Sequence, residues 1–324
     1  MYYQPEAMLE QYDIEIKQIT KGRGAFVCET QDGMRLLSPF RGSEERAAFV
    51  RTILQQLQQN GYPVEQVYLT KEETCIVTDE SGIRFWLKDL VEGSECQTSR
   101  ERELLSGSAA LAGFHRTAAV CTGEIPAFMK NAKNEPQKLY ERHYRELIQV
   151  KNYVLSRRTR NEFERSFWVQ YPHYIAQAKA AVQLLKQRKD GENVHGFCHG
   201  ECNQHNLLCT RQGVRLVNFE NMSYGEPVVD LANFLRKIME KNNWNIPLGR
   251  RMLDAYEKVR PLERKERDLL YELLLFPEKF WKVTNHYSNS HKAWVSGRDI
   301  EKLKRLIATE PQREHFLENL FSFL

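Results

Sequence analysis

Residues 194–224, VHGFCHGECNQHNLLCTRQGVRLVNFENMSY, form an island of strand and turn set between long helical stretches. The island is a polar loop at His199-Gly200-Glu201, then Asn206-Leu207-Leu208, a turn at Arg211-Gln212-Gly213, and a second strand running into Asn218-Phe219-Glu220. A short hairpin loaded with polar groups, surrounded by a mostly helical lobe, restricts the fold more than any other stretch. Its buried polar groups need partners or a ligand.

Two chemistries suit such a segment. The first is a metal cluster, because His195, Cys198, His199, Cys202, His205 and Cys209 crowd together. Structural zinc sites, however, bring short ligand pairs together from hairpins a dozen or more residues apart, and four ligands here would require the segment to wrap tightly round one ion. The second is phosphoryl transfer. That chemistry asks for a carboxylate to orient an attacking hydroxyl, an amide oxygen on the same loop to hold a magnesium ion, and a second acidic ligand at the end of the next strand to hold the metal across the phosphates. His199, Glu201 and Asn206 supply the catalytic type of group, and Asn206, Asn218 and Glu220 the metal-holding type.

The rest of the chain provides two different settings. Residues 14–87 favour strands: IEIKQITKGRGAFVCETQDGMRLLSPF is broken by KGRG and QDG and predicts two or three antiparallel strands. SEERAAFVRTILQQLQQNG predicts a helix capped by Ser43, with Ala47, Val50, Leu54 and Leu57 on its apolar side and Gly61 as the stop. VEQVYLT, TCIVTD and IRFWLKDLV predict further strands. After VEGSEC the pattern turns helical. TSRERELLSGSAALAGFHRTA predicts a helix capped by Thr98 or Ser99, with Leu104, Ala109, Leu111 and Phe114 in a stripe. QKLYERHYRELIQVKNYVLSRR places Leu139, Tyr144, Leu147, Lys151 and Leu155 on one side, WVQYPHYIAQAKAAVQLLKQR is another long helix, and residues 247–324 are mostly helical.

Composition narrows the partners. A chain of 324 residues with 41% hydrophobic and 28% charged residues has the length for two lobes, and no apolar run approaches the roughly 18 residues of a membrane helix. Basic stretches alternate with acids and the net charge is only +4, so no nucleic-acid or membrane partner is expected. The start, MYYQPEAMLEQYDIEIK, lacks basic and apolar signal regions, which predicts synthesis and retention in the cytoplasm. Seven scattered cysteines predict reduced thiols.

The island resembles the catalytic and metal loops of the kinase-like aminoglycoside and choline phosphotransferase superfamily, whose pattern is H-G-D-x4-N followed by D-F. Gly225, Pro227 and Asp230-Leu231-Ala232 match the G-x-P-x-x-D-L-A that follows there. KGRGAFVCETQDGMRLL, GSEERAAF, LVEGSEC, LAGFHRTA, HGECNQHN, VNFENMSYGEPVVDLANFLRKIMEKNNW and LLLFPEKFWKVTNHYSNSHKAW resemble the CotS-type bacterial spore coat proteins, a branch of that superfamily. The resemblance implies an α+β, two-lobed protein-kinase-like fold. Its lobes would be a small antiparallel-sheet nucleotide-binding-type N-lobe over residues 1–90 and a larger, mainly helical C-lobe over 91–324 carrying the catalytic-type loops. It further implies deposition on the forespore surface as spore coat, other coat proteins as partners, and a small-molecule ligand in the C-lobe cleft. The cofactors would be Mg2+ with ATP or GTP if the protein is active, and otherwise none.

Several letters depart from a working kinase. Ser38 in RLLSPF stands where the superfamily places a phosphate-holding lysine, and a hydroxyl does not replace a reaching ammonium. Glu201 replaces the catalytic aspartate with one more methylene. Asn218 replaces the metal-binding aspartate, and Glu220, expected on the same side of a strand, offers a charge nearby. Gly22 and Gly24 read either as a phosphate loop or as a plain hairpin turn. Asp230 is expected to support the loop structurally, His115 to pack within its helix, and Trp281, Tyr287 and Trp294 to lie in the core or line an acceptor cleft. The expectation is a spore coat protein with a kinase-like fold whose phosphotransfer is weak or absent. The alternative is an active ATP- or GTP-dependent small-molecule phosphotransferase acting on a hydroxyl acceptor.

Overall fold

The computed structural model describes residues 5–22, 24–130, 135–188, 194–290 and 296–322. Strand-forming residues at the start of the chain build one antiparallel sheet from β1 (Ile16–Lys21), β2 (Phe26–Thr30), β3 (Gly33–Pro39), β4 (Val77–Thr78) and β5 (Arg84–Asp89), in the order β1-β2-β3-β5-β4. Strand alternation gives the sheet two unlike faces. Phe26, Cys28, Leu37, Phe85 and Leu87 bury themselves against Met8 and Leu9 of α1 (Pro5–Leu9) and Tyr12. The other face carries Leu36 and Ser38 on β3, paired with Lys88 and Trp86 on β5.

The stretch 64–70, expected as a strand, makes only the single bridge Val67↔Lys88. Tyr68 N donates to the Leu87 carbonyl and Asp89 N to the Gln66 carbonyl, but Gln66 N donates to the Asp89 side chain at 3.0 Å and the ladder stops there, while the Val67 carbonyl points away from β5 and accepts from Arg51 Nε. Arg51 lies on α2 (Glu44–Gln59), which starts as predicted: Ser43 accepts from Arg46 N, and Ala47, Val50, Leu54 and Leu57 are buried. α3 (Glu101–Ala118) buries Leu104, Leu111 and Phe114 but is capped differently from expectation. Arg100 holds the cap position with no side-chain cap bond, while Glu103 Oε2 reaches back to accept from Gln97 N at 2.7 Å. That carboxylate ties the segment before the helix to its first turn.

The island lies where the sequence places it. β6 (Ser94–Glu95), β8 (Leu207–Thr210) and β9 (Gly213–Leu216) form a three-stranded antiparallel sheet, with β7 (Gly196–Cys198) before it and β10 (Ser223–Gly225) after it. α3 packs against this region, and the Phe114 ring lies 5.5 Å from that of Phe219. By contact density the chain divides into Met1–Met129 with Gly196–Tyr224, and Lys130–His195 with Gly225–Leu324, so the island goes with the first unit.

The second unit is helical: α4 (Pro136–Ser156), α5 (Glu162–Gln187), α6 (Val228–Met239), α7 (Ile246–Glu257), α8 (Arg264–Leu275), α9 (Glu278–Asn289), α10 (Gly297–Ala308) and α11 (Glu310–Leu320). α4 buries a different face from the expected one. Tyr140, His143, Leu147, Val150 and Val154 face inward, whereas Leu139 and Tyr144 are half-buried and Leu155 is exposed. The cause is His143, a polar residue that becomes a core residue because Glu278 lies 3.6 Å from it and the Trp281 ring stacks on it at 3.4 Å. The FPEKFW string thus serves packing: Phe280 stacks on Tyr174, and Trp281 Nε1 donates to Glu146 at 2.7 Å. Tyr287 is buried and donates to Glu164, while Trp294 lies outside the described residues. All seven cysteines are free thiols, and among the described residues no helix is long and apolar enough to cross a membrane.

Candidate functional site

The polar loop is assembled by groups that leave little freedom. His199 is fully buried; its Nδ1 accepts from Glu201 N at 3.3 Å, so the ring proton lies on Nε2 and donates to the Val217 carbonyl at 2.9 Å. The next residue must be glycine. Gly200 has φ +80°, and a Cβ there would overlap the Asn221 carbonyl oxygen. Glu201 then emerges exposed, its Oε2 accepting from Asn221 Nδ2 at 2.7 Å. Its carbonyl accepts from the side chains of Asn203 and Asn206, at 3.1 and 2.9 Å, which fixes the loop that positions Asn206.

After β9 the chain does not continue as a strand. Asn218 adopts a left-handed conformation (φ 66°, ψ 63°), and Phe219–Asn221 is a 3-10 turn. Glu220 therefore does not lie with Asn218 on one side of a strand, as the sequence had implied. The turn itself brings the two together. A carboxylate from another segment holds this turn: Glu65 Oε1 accepts from Asn218 N at 2.9 Å and from Phe219 N at 3.3 Å. From α2, Arg46 donates to the Met222 carbonyl at 2.6 Å and the Glu220 carbonyl at 3.4 Å, and burial lowers its pKa.

At the centre lies Lys88, fully buried on β5. Its Nζ donates to Glu220 Oε1 at 2.6 Å, to Asn218 Oδ1 at 2.8 Å and to Glu65 Oε1 at 3.1 Å. Burial alone would lower its pKa, but the carboxylates of Glu65 and Glu220 outweigh burial and raise it. Asn218 Nδ2 donates in turn to Asn206 Oδ1 at 2.8 Å. Sequence reading passed over Lys88, Glu65 and Arg46. One signal was present: a lysine two residues from Trp86 in the apolar run RFWLKDL shares the strand face of that buried ring.

The other expected residues have plain positions. Ser38 is buried and its Oγ accepts from Trp86 Nε1 at 3.0 Å. Gly22 and Gly24 sit in the turn between β1 and β2, where Gly22 N donates to the Ala25 carbonyl and Gly24 has φ +74°. The pairing Phe26↔Leu37 puts that turn at the Ser38 end of the sheet. His115 is buried in α3. Asp230 is buried in the first turn of α6, in the second unit.

The family model described as "Spore coat putative kinase YutH" matches residues 5–320. The chain belongs to this family. The sequence resemblance to spore coat proteins is met by two relatives from Bacillus subtilis (strain 168). Spore coat protein S is 25% identical over 319 residues, covering 95% of this chain and 89% of that protein. The endospore coat-associated protein YutH is 22% identical over 328 residues, covering 97% and 92%. Among solved structures, an aminoglycoside phosphotransferase from Alicyclobacillus acidocaldarius is similar with a TM-score of 0.84 at 18% identity, over 99% of this chain and 96% of its own. Amicoumacin kinase hAmiN, solved with AMP-PNP and Ca2+, is similar with a TM-score of 0.65 at 14% identity, over 96% and 92%. These likenesses show the fold: mixed α+β, with an antiparallel N-terminal sheet, a mostly helical C-terminal part and an aminoglycoside-phosphotransferase-like arrangement.

In this YutH-family chain the oxygens expected to hold a metal are engaged from within. A magnesium ion asks for near-octahedral oxygens at about 2.0–2.1 Å. Here Asn206 Oδ1 accepts the Asn218 amide, and Asn218 Oδ1 and Glu220 Oε1 accept the Lys88 ammonium. A divalent cation placed among them would meet a positive charge, so the set as arranged does not fit it. The zinc alternative also finds little support. Among the described residues, the groupings of three or more possible ligands include only Cys209 from residues 195–209, and it joins Cys96 and Glu103 instead of its own neighbours.

Proposed function

We propose that this chain is a spore-coat-associated protein that retains a kinase-like fold, has weak or absent phosphotransfer, and acts by ligand binding or by assembly with other coat proteins. One observation carries the reading: Asn218 Nδ2 donates to Asn206 Oδ1 at 2.8 Å. Only an amide can make that bond, since an ionised aspartate at 218 would have no donor. The two side chains that should share a metal satisfy each other. Glu201 adds to the case, because its extra methylene displaces the carboxylate, and positioning errors near 1 Å cost about a hundredfold in rate. On this reading residues 1–90 are a nucleotide-binding-type lobe in form and 91–324 the lobe bearing the altered loops. The names of the B. subtilis relatives support deposition on the forespore surface as spore coat.

A second reading, an ATP- or GTP-dependent phosphotransferase using Mg2+ on a small hydroxyl acceptor, is favoured by one feature, the exposed carboxylate of Glu201 held by Asn221. Conversion of ATP or GTP to ADP or GDP by the purified chain with Mg2+ and a panel of small hydroxyl acceptors separates the two, because transfer to an acceptor frees no inorganic phosphate. The expected rate lies at least about a thousandfold below the roughly 1–100 per second of working kinases. A rate within that range overturns the proposal. For location, a fluorescent fusion in sporulating B. subtilis is expected to ring the forespore, and diffuse mother-cell fluorescence would contradict coat association.

A further inference from the structure

We propose that the Lys88 ammonium is a built-in replacement for a divalent cation, holding the Asn218–Glu220 turn in place without metal and keeping metal out. This rests on the proposed function and deepens it. A lysine has three N–H donors. All three find oxygens here, on Glu65, Asn218 and Glu220, at 3.1, 2.8 and 2.6 Å, and the side chain is shut off from solvent. The ammonium therefore joins β5, the segment carrying Glu65 and the turn after β9, as a multivalent ion joins ligands from separate segments. Glu65 links this charge to the backbone, because the oxygen that accepts from Lys88 also accepts from Asn218 N and Phe219 N. Strand geometry makes the arrangement durable: Lys88 projects from a central strand beside buried Trp86 and pairs with Leu36. Nothing in the geometry has Lys88 touching a substrate. It is a positioning residue, and with its donors saturated it also differs from a lysine kept ready for phosphate.

The test uses the full chain and Mn2+ alone, read by the electron paramagnetic resonance signal of the free ion and by melting temperature. Wild type is expected to leave millimolar Mn2+ unbound. Lys88→Met removes the charge between Glu65 and Glu220, and is expected to melt lower, to bind Mn2+ stoichiometrically and to regain melting temperature with it. Adding Glu220→Gln to that variant should weaken Mn2+ binding on the order of tenfold or more, as loss of a supporting carboxylate does elsewhere. Asn218→Asp, which keeps Lys88, is expected to bind no Mn2+, and it preserves the test if Lys88→Met does not fold. Stoichiometric Mn2+ binding by wild type or by Asn218→Asp, or none by a folded Lys88→Met, overturns the inference. Wild-type Mn2+ binding without nucleotide turnover in the presence of acceptors would overturn this inference and leave the proposed function standing, and turnover without Mn2+ binding would do the reverse.

Discussion

Each unit of the chain buries a charged cluster, and the two are built with opposite polarity. In the first unit a cation, Lys88, sits among Glu65, Glu220 and Asn218. In the second an anion, Glu278, lies 3.0 Å from Lys282 and 3.6 Å from His143, with Arg236 adding its positive field. Burial would raise the Glu278 pKa, but His143, Arg236 and Lys282 around it win and hold it down to about 2. The Glu278 cluster joins α9 to α4 under a stacked tryptophan and is built from the FPEKFW string that helps carry the family resemblance. The Lys88 cluster is inconspicuous in sequence, yet it gathers Asn218 and Glu220, which the sequence resemblance expects to hold a metal. Distinctiveness in a sequence can mark packing, while a site can turn on a single charged residue inside an apolar strand.

The comparison can be broken most severely at Glu65. Replacing it by alanine leaves Lys88 short of a partner and frees two backbone N–H groups of the turn, which should cost about 3–5 kcal/mol, measured by urea unfolding. A loss below about 1 kcal/mol would mean that the cluster is loosely held. Next comes Glu278. Its folded pKa of about 2 lies below the ordinary glutamate value of about 4.3, so it contributes stability above that value and loses it as pH falls toward 2. Glu278→Gln should cost about 3 kcal/mol at neutral pH, and the gap from wild type should narrow on acidification, whereas a constant gap would contradict this.

Glu226, also in the second unit, should behave in the opposite sense. Burial pushes its pKa up to about 7 despite Arg188 at 3.8 Å, so its contribution is full below the ordinary carboxylate range and is lost as pH rises through about 7. Glu226→Gln should then stabilise the protein above pH 7, by on the order of 1–3 kcal/mol, and leave it unchanged near pH 4, as thermal melts at two pH values would show. The smallest effect belongs to Ser38→Ala, which orphans the Trp86 N–H in a buried setting and should cost about 1 kcal/mol by thermal melting. An equal or larger loss there than at Glu65 would invert the ranking of the two sites.

What was legible in the sequence was what local chemistry decides. Ser43 marked the start of α2, KGRG and QDG marked the first hairpins, and the spacing from His199 to Gly213 placed the polar loop and the hairpin after it. What was not legible depended on partners far along the chain. Lys88 is 130 residues from Asn218, and no periodicity links them. The α4 face was displaced because His143 is made a core residue by Glu278 and Trp281. The strand expected at 64–70 stops after one bridge, where Gln66 N bonds to the Asp89 side chain, and α3 starts with Arg100 at its cap position. Asn218 is the most instructive case: in sequence it reads as a weakened metal ligand, while in the fold its amide is used as a donor, a capacity the aspartate lacks.

The most direct test is the melting temperature of the full chain with ATP or GTP, once with Mg2+ and once with EDTA. A ligand at a hundred times its Kd adds about 2.7 kcal/mol of stability, enough to shift the transition visibly. An ammonium fixed in the metal's place predicts the same shift, or the same lack of one, in both solutions. A shift that appears with Mg2+ and vanishes with EDTA would contradict it.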